Sequence, residues 1–92
     1  MRLVDSGVHT TQGQRKPYII VENPAPVHAL LKDAAVTLKG DGWSTTLAQG
    51  SMQDVLGTGL VQPGRKRVFV LPVTVPANVT RITASVDYRP SR

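Results

Sequence analysis

Ten consecutive residues, Pro17 to Pro26 (PYIIVENPAP), constrain this chain more than any other stretch. Tyr18, Ile19, Ile20 and Val21 are apolar without interruption. Pro24 and Pro26 follow at once, each removing a backbone donor and holding the residue before it extended. Such a run fits a strand with both faces covered, or a central strand in a sandwich sheet. Pro17 falls at the strand's start, where a missing N–H does no harm, and Glu22-Asn23-Pro24-Ala25-Pro26 marks its end.

The rest of the chain extends the same pattern. Ile82, Ala84, Val86 and Tyr88 alternate with Arg81, Thr83, Ser85 and Asp87, the signature of a strand with one face buried and one wet. Arg65 to Leu71 carries Val68, Phe69, Val70 and Leu71 behind a basic lead of Arg65, Lys66 and Arg67, and Pro63-Gly64 before it marks a turn that needs positive φ at the glycine. Between Val27 and Gly40, Ala and Leu permit a short helix from His28 to Ala35. Val36 and Leu38 alternate with Thr37 and Lys39, however, and the stretch reads better as two strands with a break near Asp33. Asp41-Gly42 then predicts a tight hairpin into Trp43 to Leu47, with Trp43 as core or edge cover. Gln49 to Gly59, with three glycines, reads as a loop. Residues 1–16 hold few apolar positions and predict a poorly ordered segment or an edge strand.

With 92 residues there is room for one core and no second. Gly and Pro together supply 15 residues (8 and 7), which favours short strands and punctuated turns over long helices. Strand signals every 8 to 12 residues between those turns predict one all-β domain over residues 17–92. Its expected architecture is an immunoglobulin-like β-sandwich of about seven short antiparallel strands. Cysteine is absent, so the sandwich has no disulfide and no thiolate metal site. No run approaches a membrane helix, and the opening residues lack the apolar core of a secretory signal.

Chemistry of the enzymatic kind finds no support in the residue pattern. His9 and His28 are the two histidines, and neither sits in a nucleophile or metal-ligand motif. Gly57-Thr58-Gly59 runs into Leu60-Val61 and lacks the glycine or Gly-Lys-Ser/Thr continuation that a phosphate loop needs. Asn78-Val79-Thr80 matches a glycosylation acceptor but reads as turn chemistry at a strand entry. No catalytic, cofactor or metal residue is predicted. The formal charge of +5 and a basic patch of Arg65-Lys66-Arg67 with Arg15-Lys16 suit either an acidic partner or a strand edge guarded against aggregation. Base-stacking aromatics do not interleave with these charges, so nucleic acid is not the expected partner.

Three blocks in order resemble a known family: VENPAP with the strand after it (Val21 to Leu31), GLVQPGRKRVFVLP (Gly59 to Pro72) and ITASVDY (Ile82 to Tyr88). They are similar to the second, C-terminal immunoglobulin-like domain of periplasmic pilus-assembly chaperones. That domain shows an N-P-T-P block, a turn with proline feeding a strand that ends in Leu-Pro, and a strand ending N-D-Y-G. Here Ser85-Val86 precedes Asp87, and Arg89-Pro90 replaces the glycine. The resemblance implies a non-enzymatic, cofactor-free module of a periplasmic chaperone, working with a pilin subunit and an outer-membrane usher and not inserting in a membrane. In the family, the strand that completes the pilin belongs to the first domain, so this chain is expected to lack it. Asp87 carries over as the acid that contacts a basic residue between the domains, with Arg65, Lys66 and Arg67 as further partner contacts. Asn23, Pro24, Pro26, Pro63 and Tyr88 carry over as structural residues. The alternative is a general immunoglobulin-like interaction or adhesion domain of a bacterial surface or secreted protein.

Overall fold

A computed structural model describes residues 1–51, 56–57 and 59–89. Eight strands are seen among them: β1 (Arg2–Thr11), β2 (Gln14–Glu22), β3 (Ala29–Leu30), β4 (Ala34–Gly40), β5 (Trp43–Leu47), β6 (Leu60–Val61), β7 (Lys66–Val70) and β8 (Thr83–Tyr88). All pairings are antiparallel, and they form two three-stranded sheets, β1-β2-β7 and β5-β4-β8, with a small β3-β6 pair beside them. The chain is an all-β sandwich without cysteine.

The core lies between the sheets. Ile19, Val21, Phe69 and Leu71 come from one side, Ala34, Val36, Leu38 and Ile82 from the other, and Leu31, Val61, Val75 and Val79 close the ends. Alternation sends Ile19 and Val21 inward with no exposed surface, so Tyr18 and Ile20 must face out. They are half-buried. The uninterrupted apolar run therefore marks the central strand of its sheet, whose outer face no element of the described chain covers.

Residues 1–16 contain an edge strand. β1 pairs with β2 from Arg2↔Glu22 to Thr11↔Gln14, with a bulge between Leu3 and Asp5 that leaves Val4 exposed. The hairpin turns at Gln12 and Gly13, both in the left-handed region (φ 50° and 76°), the geometry of a tight reversal whose twist matches the strands. Gln-Gly is a weaker signal than Asn-Gly, which is why the stretch resembles a loop in sequence. β1 and β8, the edge strands of the two sheets, come close to each other on one side of the sandwich without pairing. The eight antiparallel strands seen among the described residues are close to the about seven short ones expected, with β1 and β2 the longest at 10 and 9 residues.

Other expectations meet the structure directly. Residues 29–40 form β3, a 3-10 turn at Leu31–Asp33, and β4, so no α-helix occupies His28 to Ala35. Asp41-Gly42 closes the β4–β5 hairpin, where Gly40 faces Trp43, and the half-buried indole packs on the core. Gln62-Pro63-Gly64-Arg65 forms a turn closed by the Arg65 N–H on the Gln62 carbonyl (3.0 Å), with Gly64 at φ 72°. The predicted loop Gln49 to Gly59 lies partly outside the described residues.

Candidate functional site

The Asn23 side chain organises the corner at which β2 ends. Fully buried, its Nδ2 donates to the Val27 carbonyl (2.6 Å) and the Val61 carbonyl (3.0 Å), and its Oδ1 accepts from the Ala25 N–H (3.1 Å). Its backbone N–H donates to the Arg65 carbonyl (3.0 Å), and its own carbonyl accepts from the Gly64 N–H (2.8 Å). Asparagine suits this position because one planar amide supplies two donors and an acceptor without burying a charge. The NPAP block and the block that follows Gly59 are thereby knitted into one corner, with Pro63 at the outer bend of the turn. Pro24 and Pro26 are exposed and offer no N–H to compete for these acceptors.

β7 emerges from this corner at the free end of the sheet. Lys66 and Arg67 are exposed at its start, with Arg65 in the turn just before. Lys66 and Arg67 make different contacts. Lys66 is 4.0 Å from Glu22, which also pairs with Arg2 (3.0 Å). Arg67 lies 4.7 Å over the Phe69 ring and donates to the Leu60 carbonyl (2.8 Å). The two contacts hold its guanidinium over the end of the core while leaving most of its donors to solvent. Leu60, Val61 and Gln62 line a surface groove of about 360 Å³ together with the three basic residues.

Asp87 is placed elsewhere. It is on β8, opposite Ala35 in the second sheet, and its carboxylate accepts from Arg89 Nε at 3.1 and 3.2 Å. With the Asp87 side chain 62% exposed, that pair is a solvated surface contact worth little. The predicted site residues thus divide into a basic group on β7 and a lone acid on β8, with no ion pair between them among the described residues. Tyr88, opposite Ala34, is half-buried against the core, and the next N–H, of Arg89, donates to the Asp33 carbonyl (2.8 Å). Comparisons with known proteins give no match to a family model, a curated protein or a solved structure.

Two roles escaped sequence reasoning, the first being that of Arg15, which the sequence groups with Lys16 and the Arg65 cluster as a basic patch. Arg15 donates from its guanidinium to the carbonyls of Pro76 and Val79, pinning the loop between β7 and β8 onto the first hairpin. The Val75 N–H returns a bond to the Arg15 carbonyl (2.8 Å). No local pattern marks an arginine that bonds 61 and 64 residues downstream. The second is that of the outer face of the β1-β2-β7 sheet, where His9, Tyr18, Ile20, Val68 and Val70 line a shallow, mainly apolar depression of about 310 Å³. Its signal was present in the non-alternating run Tyr18 to Val21, whose two faces are both apolar. His28 is exposed just before β3, away from this depression. Among the described residues no group of His, Asp and Glu converges as a metal site would require.

Proposed function

We propose that this chain is a non-enzymatic protein-binding module, an immunoglobulin-like domain of the kind that forms the second half of periplasmic pilus-assembly chaperones. The observation that carries the reading is the Asn23 corner. The family-like blocks around Asn23-Pro24 and around Pro63 are separate in sequence, and five hydrogen bonds made by Asn23 join the first to its own turn and to the second. A residue at each of those positions then has a structural reason to be what it is. On this reading the chain acts beside a first domain that lends a strand to an incomplete pilin, and the complex is handed to an outer-membrane usher in the periplasm.

The test is reconstitution with the complete polypeptide that contains this domain. Purified with a pilin subunit lacking its completing strand, it is expected to hold the subunit in a soluble one-to-one complex on gel filtration. It is also expected to bind the usher's periplasmic domains. A pilin that aggregates as fast with the protein as without it removes the reading. A second reading, a general interaction or adhesion domain, is favoured by Asp87. Its carboxylate is satisfied locally by Arg89 and not by the basic residues of β7. Tandem copies of the domain in the parent polypeptide would decide for that alternative.

A further inference from the structure

β7 ends its sheet, and the direction of its backbone groups follows from two bonds. The Arg65 carbonyl accepts from the Asn23 N–H and the Leu71 N–H donates to the Pro17 carbonyl. In an antiparallel ladder the residues between alternate, so Arg67 and Phe69 also turn their backbone groups toward β2. Lys66, Val68 and Val70 turn theirs the other way. Among the described residues no strand pairs on that side. β1, at the opposite end of the sheet, runs close to β8 along part of its length. The outer edge of β5, in the other sheet, presents Ser44, Thr45 and Thr46.

The side chains along β7 add a second observation. Val68 and Val70 are 56% and 39% exposed, and with Tyr18 and Ile20 they form the apolar depression on the outer face. Natural edge strands are usually broken by charge, proline or bulges. Here the basic residues stop at Arg67 and the next proline is Pro72, leaving Val68 to Val70 unguarded. On the inner side of the same edge, Arg65 and Arg67 border the groove beside Leu60 and Val61.

We propose that the free edge of β7 accepts an extended segment of a partner protein in which apolar and acidic residues alternate. Side chains of an added strand opposite Val68 and Val70 share the outer face and extend the apolar depression. Their neighbours in sequence point to the inner side, where Arg65 and Arg67 meet carboxylates. Charge complementarity selects the acidic segment over a second copy of this chain. Each copy carries a formal +5 and would bring its own Arg65-Lys66-Arg67 to the shared edge. The one acid on the facing strand β2, Glu22, is held by Arg2 and Lys66. The proposal goes beyond the chaperone reading, in which the exchanged strand belongs to another domain, and holds equally for a general interaction domain.

The experiment uses the whole chain and an end-blocked peptide of alternating valine and glutamate, with the valine–lysine peptide as control. Titration followed by amide hydrogen exchange is expected to show binding of the glutamate peptide and new protection at the Lys66, Val68 and Val70 amides. The lysine peptide should bind at least about tenfold more weakly. Val68→Pro removes an outward N–H and no bond to β2, so it is expected to weaken binding at least about tenfold while the chain stays folded. Should that variant unfold, Arg67→Glu provides the second arm and is expected to reverse the preference between the two peptides. Absence of binding at about 1 mM peptide, equal binding of both peptides, or protection away from β7 overturns the proposal. So does a concentration-dependent dimer that protects the same three amides without peptide, which would make a second copy the occupant.

Discussion

Replacement of Asn23 by alanine isolates the contribution of the corner at which β2 ends. Its side chain is fully buried and satisfies three backbone groups: the Val27 and Val61 carbonyls and the Ala25 N–H. Val27 is exposed and Ala25 partly so, and water can replace the amide at both. Val61 is 1% exposed, and its carbonyl keeps the Ala29 N–H of the β3–β6 ladder as its remaining partner. Each of the three lost bonds contributes about 0.5–1.5 kcal/mol, with part recovered through water at Val27 and Ala25. The sum is about 1–3 kcal/mol, a sizeable share of the roughly 5–14 kcal/mol expected for a domain of 92 residues. Urea unfolding followed by Trp43 fluorescence is the assay. The midpoint should fall with an unchanged slope, and the thermal midpoint should drop by roughly 5–20 °C. Asn23→Asp should be at least as damaging, because it removes both donors and turns a carboxylate oxygen toward carbonyls. A loss for Asn23→Ala below about 0.5 kcal/mol would refute the assignment of this residue as the corner's organising group.

Further outcomes follow from other contacts. Arg15→Ala frees the Pro76 and Val79 carbonyls and should cost about 1.5–3 kcal/mol in the same assay, with Arg15→Lys recovering only part; a value within about 0.5 kcal/mol of the parent would show that Arg15 does not hold the loop. Gly7 lies beneath the Tyr18 ring, where an added Cβ would come within 2.6 Å of ring carbons, so Gly7→Ala must displace the ring. It should cost about 1 kcal/mol and alter the tyrosine near-ultraviolet dichroism, whereas an unchanged spectrum would contradict the stacking of Tyr18 on Gly7. Asp87→Ala breaks only an exposed pair and should change the stability of this chain by less than about 0.5 kcal/mol. In the complete protein the chaperone reading expects the same substitution to reduce subunit delivery, and unchanged delivery would remove Asp87 from the interdomain contact.

Much of the fold was legible because hydrophobic period and turn chemistry agreed. Val36 and Leu38 alternate, Asp41-Gly42 turns, and Pro63-Gly64 supplies a negative φ followed by a positive one; all three features lie where the residues place them. β1 was harder to read, because its inward positions include Ser6 and its turn is Gln12-Gly13, so neither apolar alternation nor a strong turn pair announces it. Its strand character comes from the ladder with β2, a tertiary cause. The apolar run of β2 carried more than was first evident. Ile19 and Val21 explain the core, and Tyr18 and Ile20 had no place in it, so the same four residues mark both a central strand and an uncovered face. Of the candidate site, the basic cluster was found by composition and Asn23 by motif. Arg15 was read as part of a basic patch, and its role in holding the loop was not legible because its partners are backbone carbonyls brought close only by folding. Asp87 was identified by likeness alone, and its neighbour Arg89 supplies a local partner that the likeness did not anticipate.

Amide hydrogen exchange along β7 in the free chain tests most directly whether the sandwich leaves the β7 edge open. The Phe69 and Leu71 amides, turned toward β2, should be protected, while those of Val68 and Val70 should exchange close to the rate of unstructured peptide. Strong protection of Val68 and Val70 in the monomer would contradict the open edge and the binding role built on it.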